Sequence, residues 1–221
     1  HEGIKDASYR LYPLEDINEF PNLIQSNPTL VGLNVTIPYK ETVMSFLDDI
    51  DSKAGKIGAV NTIKIIDGKL KGFNTDYQGF KDSLIGFIGA NPMPKKALIL
   101  GTGGASKAVV AVLRDLDIEF QIVSRNATKD TISYDQLSHS QIVTSSSLIV
   151  NTTPLGMSPN PESLPDLPYS QITPAHFLFD LVYNPLITAF IQKGIDKKSW
   201  VKNGLEMLHG QAEKAWEIWN D

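Results

Sequence analysis

ALILGTGGASKA, residues 97–108, joins a short apolar run to a helix-spaced one through Gly101, Gly103 and Gly104. Glycines at such a turn let the backbone bend tightly and approach a phosphate with no side chain between them. The helix that follows presents unpaired N–H groups and the positive end of its dipole. Ser106 stands where a third glycine is usual, and is small enough for close helix packing. Outward from this turn, EFQIVSR (119–125), SLIVNTT (147–153) and FLFDLVY (177–183) read as further buried strands with helices between them. Strands alternating with helices predict a parallel sheet covered on both faces. The expected fold class is therefore α/β.

The second strand carries information about the dinucleotide. An NAD-binding turn usually has Asp or Glu at that strand end, to hold the ribose 2′-hydroxyl. Here the strand ends Ser124-Arg125-Asn126 with Lys129 shortly after, while Asp117 and Glu119 lie at its opening. A guanidinium can fork onto a 2′-phosphate and stack on adenine, so the expected cofactor is NADP(H).

The residues before the turn have a different rhythm. LVGLNVTI (30–37) is rich in branched apolar residues and reads as a buried strand, stopped by Pro38, after which YKETVMSFL has helical spacing. AVNTIKI and KLKGFN flank Asp67-Gly68, a strong hairpin signal. Asn74 or Thr75 can cap a helix through DYQGFKDSLIGF. Gly, Asn and Pro cluster in GANPMPKK, which places a domain boundary near 89–95. The last stretch, from Gly204, reads as an amphipathic helix with Leu205, Leu208, Ala212, Ala215 and Trp219 on one face.

Polar residues gather at element ends in the first region: Asn34, Thr36 and Lys40; Asn61 and Thr62; Asn74, Thr75 and Asp76. Delivery from separate segments suggests one pocket. A lysine beside an aspartate can hold a hydroxyl and move its proton. Free lysine titrates near ~10.4 and a neighbouring carboxylate favours the charged form, so such a lysine is a natural acid for carbonyl reduction.

Composition narrows the classes. The 221 residues are 42% hydrophobic and 20% charged, with a net charge of −5, ordinary for a globular chain. No basic surface advertises a nucleic-acid partner. The absence of cysteine excludes disulfides and thiolate chemistry, and no two of His1, His139, His176 and His209 are spaced for a helical metal pair. No apolar run is long enough to span a bilayer, and the first ten residues lack signal-peptide character. A soluble, cytoplasmic protein is expected, with no nucleic acid, membrane or metal involved.

NVTIPYK, GAVNTI, GFNTDYQGF, GTGGASKA, NTTPLGM and NGLEMLHGQA resemble, in that order, the successive motifs of shikimate dehydrogenases. The resemblance implies NADPH-dependent, reversible reduction of 3-dehydroshikimate to shikimate in aromatic amino acid biosynthesis. It implies a substrate-binding α/β domain over residues 1–90 and a Rossmann-type NADP-binding domain over 91–203. A C-terminal helix over 204–221 would return to the first domain. By motif, Lys40 and Asp76 resemble the catalytic pair, and Thr36, Asn61, Tyr183 and Gln211 the substrate-binding residues. Gly101, Thr102, Gly103, Gly104 and Ala105 would hold the pyrophosphate, and Ser124, Arg125, Asn126 and Lys129 the adenosine 2′-phosphate. Thr152 and Thr153 would lie beside the cofactor, with Leu181 and Gly204 near the nicotinamide.

The family pattern also has an opening strand and a Ser-x-Ser motif for the substrate carboxylate. Neither occurs here, and residues 1–4 read as part of the family's first helix. Gly210 is a second departure, costing about 1 kcal/mol in a helix relative to alanine. An NAD-dependent quinate/shikimate dehydrogenase and a non-catalytic nucleotide- or metabolite-binding relative stand as alternatives. Arg125 argues against the first, and the presence of both Lys40 and Asp76 against the second. Either a monomer or a homodimer fits.

Overall fold

A computed structural model describes residues 7–138 and 140–221; the helical reading of residues 1–4 lies outside them. Two sheets organise the described residues. The first contains β1 (Gly32–Asn34), β2 (Asp49–Ile50), β3 (Thr62–Ile66) and β4 (Lys69–Phe73), in the order β1-β3-β4-β2. Around it lie α1 (Phe20–Ser26) and α2 (Ser52–Ile57), and α3 (Asp76–Ile88) follows β4. Asp67 and Gly68 turn the β3–β4 hairpin with φ of 50° and 77°. Two successive positive φ values match the right-handed twist of the paired strands. Asp51 caps α2 by accepting from the Lys53 and Ala54 amides, and Gly58 ends it in the left-handed region at φ 71°.

The second sheet is wholly parallel. Its strands are β5 (Lys96–Leu100), β6 (Glu119–Val123), β7 (Leu148–Asn151), β8 (Phe177–Asp180) and β9 (Trp200–Lys202), in the order β6-β5-β7-β8-β9. Side chains alternate between its faces. Ala97, Ile99, Leu148, Val150, Phe177 and Phe179 enter one core with α3 and α4 (Gly104–Asp115). Leu98, Leu100, Ile149 and Leu178 enter the other, with α5 (Tyr134–Ser138), α6 (Ile142–Ser145) and α7 (Ala189–Asp196). This is the α/β architecture read from the sequence.

The first core runs on past the sheet. Phe80, Leu84 and Ile88 of α3 lie in it, and the Phe80 and Phe179 rings meet edge-on with centroids 5.1 Å apart. Each such side chain contributes roughly 1.5–3 kcal/mol on burial. On the far side of α3 lies α8 (Leu205–Asn220). A Cβ at Gly79 would sit 2.6 Å from the Met207 carbonyl, and one at Gly210 would lie 3.4 Å from the Gly79 Cα. The α8 backbone therefore closes on α3 at Gly79, where a side chain has no room; the 3.4 Å at Gly210 is ordinary van der Waals contact, and nothing in the structure explains that glycine. At its end α8 reaches the first sheet, where the Trp219 indole donates to the Ile63 carbonyl at 2.9 Å. The C-terminal helix thus returns as expected.

Three local expectations need correction. Residues 30–37 are not a buried strand: only Gly32–Asn34 is extended, paired on one side by β3, with Val31 64% and Ile37 70% exposed. After Pro38 the chain forms a 3-10 helix at Thr42–Phe46 rather than an α-helix. In α8 the buried residues are Met207 and Ala215, and Ala212 faces solvent.

Candidate active site

Asp76 is the first residue of α3 and is buried. A carboxylate in a helix's first turn is favoured by the dipole. Its Oδ2 accepts from the Lys40 ammonium at 2.7 Å, and its Oδ1 accepts from the Asn61 amide at 3.0 Å. The same amide nitrogen lies 3.0 Å from Gln211 Oε1 on α8 and 3.0 Å from Thr75 Oγ1. Asn61 Oδ1 in turn accepts from the Thr75 backbone N–H at 2.7 Å. Asn61 is thereby locked by the start of α3, while the Lys40 side chain keeps 14% exposure. Backbone bonds fix the lysine's segment against the sheet: the Val60 N–H donates to the Lys40 carbonyl at 2.7 Å.

The glycine turn meets this cluster. Gly101 has φ 109°, and a Cβ there would come within 2.9 Å of Thr152 Oγ1 and 3.0 Å of Thr153 Cγ2. A Cβ at Gly103 would meet nothing within 4 Å, whereas one at Gly104 would lie 3.1 Å from the Lys40 Cβ. The N-terminus of α4 thus opens beside the lysine, with free N–H groups available to an anion. Ser106 is buried and its hydroxyl donates to the Gly103 carbonyl at 2.6 Å, bracing the turn. Lys107 extends from α4 to Glu41 Oε2 at 2.5 Å and to the Gly58 carbonyl at 3.3 Å, holding the turn beside the Lys40 segment.

At the carboxyl end of the sheet, Leu100 and Val123 pair, so the chain leaving β6 emerges next to the turn. Arg125, Asn126 and Lys129 are exposed there, and Ser124 Oγ accepts from the Asn126 N–H at 3.2 Å. The nearest acid of that strand, Glu119, sits at the opposite end beside Lys96, 3.6 Å away. On the other side, Thr152 donates to the Leu100 carbonyl at 2.7 Å and Thr153 to Asn151 Oδ1 at 2.7 Å. Gly204 packs so tightly on the Leu181 carbonyl that a Cβ has no room.

The structure thus brings Lys40, Asn61, Asp76 and Gln211 into one hydrogen-bonded cluster and sets Gly104 against it. It joins Gly101 to Thr152 and Thr153, and Leu181 to Gly204. Thr36 and Tyr183 stay outside the cluster: Thr36 is exposed, its hydroxyl 3.5 Å from the Ile37 carbonyl, and Tyr183 is 42% exposed. Sequence reading missed Asn151 and Asp180, buried at the ends of β7 and β8, and Thr188, buried at the N-cap of α7. The signal was an amide and a carboxylate closing two apolar runs, SLIVN and FLFD. Burial pushes the Asp180 carboxyl up to about 6, against the opposing effect of hydrogen bonds from Thr188, Val182 and Asn151.

Comparison with known proteins matches this arrangement to one family. A family profile described as the shikimate dehydrogenase substrate binding domain matches residues 3–63. A shikimate dehydrogenase (NADP(+)) of Clostridium beijerinckii is 40% identical over 230 residues, covering 98% of this chain and 82% of the relative. The crystal structure of shikimate dehydrogenase 1 from Peptoclostridium difficile superposes with a TM-score of 0.82 at 39% identity, over 95% of this chain and 78% of that one. A Thermus thermophilus shikimate 5-dehydrogenase, solved in complex with NADP(H) and shikimate, superposes with a TM-score of 0.76 at 32% identity, over 94% and 79% of the two chains.

Proposed function

The chain belongs to the shikimate dehydrogenase family, and from that premise we propose that it is an NADP-dependent oxidoreductase interconverting 3-dehydroshikimate and shikimate. The observation that carries the reading is the 2.7 Å Lys40–Asp76 pair lying against the Gly104 turn. A proton donor and a dinucleotide site would then face one reacting carbon.

The residues present fit the cofactor. The turn from Gly101 to Ala105 offers backbone N–H groups, and Gly103 leaves open the space a side chain would fill. Arg125 and Lys129, with Ser124 and Asn126, supply charge and donors for a 2′-phosphate, and β6 ends in Val123 followed by Ser124 and Arg125 rather than in an acid. Thr152, Thr153, Leu181 and Gly204 would flank the nicotinamide. When bound, NADPH supplies a hydride to the substrate's carbonyl carbon.

The chain's own part is the proton on oxygen. Lys40 would hydrogen-bond the carbonyl oxygen, polarise it, and give up a proton as negative charge gathers there. Asp76 would orient the ammonium and hold the hydroxyl product; in oxidation the proton returns to the lysine. Asn61 and Gln211 would fix ring hydroxyls, while Thr36 and Tyr183 would meet the substrate from the walls of the cleft. In this reading residues 1–90 form the substrate-binding unit and 91–203 the cofactor-binding unit.

The test is reduction of 3-dehydroshikimate by the purified chain, followed by loss of reduced-nicotinamide absorbance with NADPH and with NADH. A charge-assisted bond to the 2′-phosphate is worth about 1.5–3 kcal/mol, so kcat/KM should favour NADPH by roughly ten- to hundredfold. Turnover with NADH in preference, or none with either, contradicts the proposal.

A further inference from the structure

We propose that Asp180 is a positioning residue that locks together the two loops flanking the nicotinamide end of the cofactor; this rests on the cofactor placement given above. Asp180 ends β8 directly beside Asn151, its register partner at the end of β7, and both are fully buried. Asp180 Oδ1 accepts from the Asn151 amide at 2.9 Å and from the Val182 N–H at 3.0 Å. Its Oδ2 accepts from the Thr188 hydroxyl at 2.6 Å.

Each donor leads to a loop with a proposed cofactor contact. Asn151 Oδ1 accepts from both the N–H and the hydroxyl of Thr153, at 3.0 and 2.7 Å. Thr153 in turn packs on the Gly101 turn. Val182 follows Leu181, whose carbonyl lies against Gly204, and the Val182 carbonyl accepts from the Gly204 N–H at 3.1 Å. Thr188 closes the same loop and caps α7 by accepting from the Ile191 N–H at 3.2 Å. One carboxylate therefore sets the spacing between residues 152–156 and 181–188.

Burying a carboxylate is unfavourable unless donors surround it. Here the donors come from both segments proposed to flank the nicotinamide, which also meet where Gly156 packs on Thr188. Asp180 touches neither reacting atom in this scheme; it acts through Thr153 and Leu181. Misplacement of about 1 Å by a remote change can cost ~10²-fold in rate.

The experiment compares Asp180→Ala and Asp180→Asn with the unaltered chain. It measures kcat and KM for both substrates, and calorimetric affinity for adenosine 2′,5′-bisphosphate, the part of the cofactor remote from these loops. Alanine should lower kcat by ~10²-fold with bisphosphate affinity unchanged. Asparagine should recover most of that loss: its Oδ1 can keep the bonds from Asn151 and Val182, and the Thr188 hydroxyl can turn to accept. Full kcat in the alanine variant overturns the inference, as does joint loss of kcat and bisphosphate affinity. Should alanine prevent folding, Thr188→Val cuts the same network from its other end. It should lower kcat by about tenfold, the value of one lost bond, and an unchanged kcat there also overturns the inference. An unaltered chain without NADPH-dependent reduction would overturn the functional reading itself, a result distinct from either variant's.

Discussion

Replacing Lys40 by alanine is expected to lower turnover by roughly 10²–10⁴-fold, the range contributed by a positioned acid–base group. The substitution tests chemistry more than packing. Gly104 approaches the lysine closest at its Cβ, an atom that alanine retains, so the glycine turn keeps its neighbour. Asp76 would keep its bond from Asn61 and its place at the start of α3, although losing the partner of a buried charge costs about 3–5 kcal/mol. A lower Tm should therefore accompany the loss of rate. Steady-state kinetics together with calorimetric NADP+ affinity separates the effects: kcat should collapse while cofactor binding persists. Near-normal kcat would remove Lys40 from the mechanism.

A second large effect is expected at the far end of the cofactor. Arg125→Ala should reduce kcat/KM with NADPH by roughly ten- to hundredfold, the worth of a hydrogen bond to a charged group, and lower the NADH value far less, through lost stacking on adenine alone. Arg125 is exposed, so its loss should move stability by no more than about 0.5 kcal/mol. Parallel measurement with the two cofactors is decisive. An equal fall with both would mean that the guanidinium does not read the 2′-phosphate.

The parallel sheet, the glycine turn and the β3–β4 hairpin were legible because each depends on neighbours in sequence. Apolar runs of strand length, a Gly-rich break and an Asp-Gly pair need no distant partner to be read. Residues 30–37 misled because branched apolar composition reports strand preference and not position. Val31 and Ile37 lie exposed around a strand that, among the described residues, pairs only with β3. Helix α8 misled for another reason. Its inward face is set by the close approach of the Met207 and Gln211 backbone to Gly79, and a pattern that weights hydrophobic side chains is blind to contacts made by backbone.

The site divided along the same line. Lys40, Asn61 and Asp76 stood out as polar residues at the ends of apolar elements, and the cluster joins them directly. Gln211 was found through the family motif, since nothing in a helical glutamine announces that it will reach Asn61. The approach of Gly104 to Lys40 is a tertiary distance that no local spacing encodes. Asp180 was passed over as the last residue of a strand. Its significance comes from the three donors that fold around it.

In the proposed mechanism one substrate oxygen lies between Lys40 and Asp76, opposite the nicotinamide of a dinucleotide whose pyrophosphate rests on the 101–105 turn. A crystal structure of the chain with NADP+ and shikimate measures this directly. The reacting hydroxyl should lie within about 2.6–3.2 Å of both side chains, the range for proton transfer, with the pyrophosphate on the amides of the turn. A hydroxyl out of reach of both residues, or a dinucleotide bound elsewhere, would contradict it.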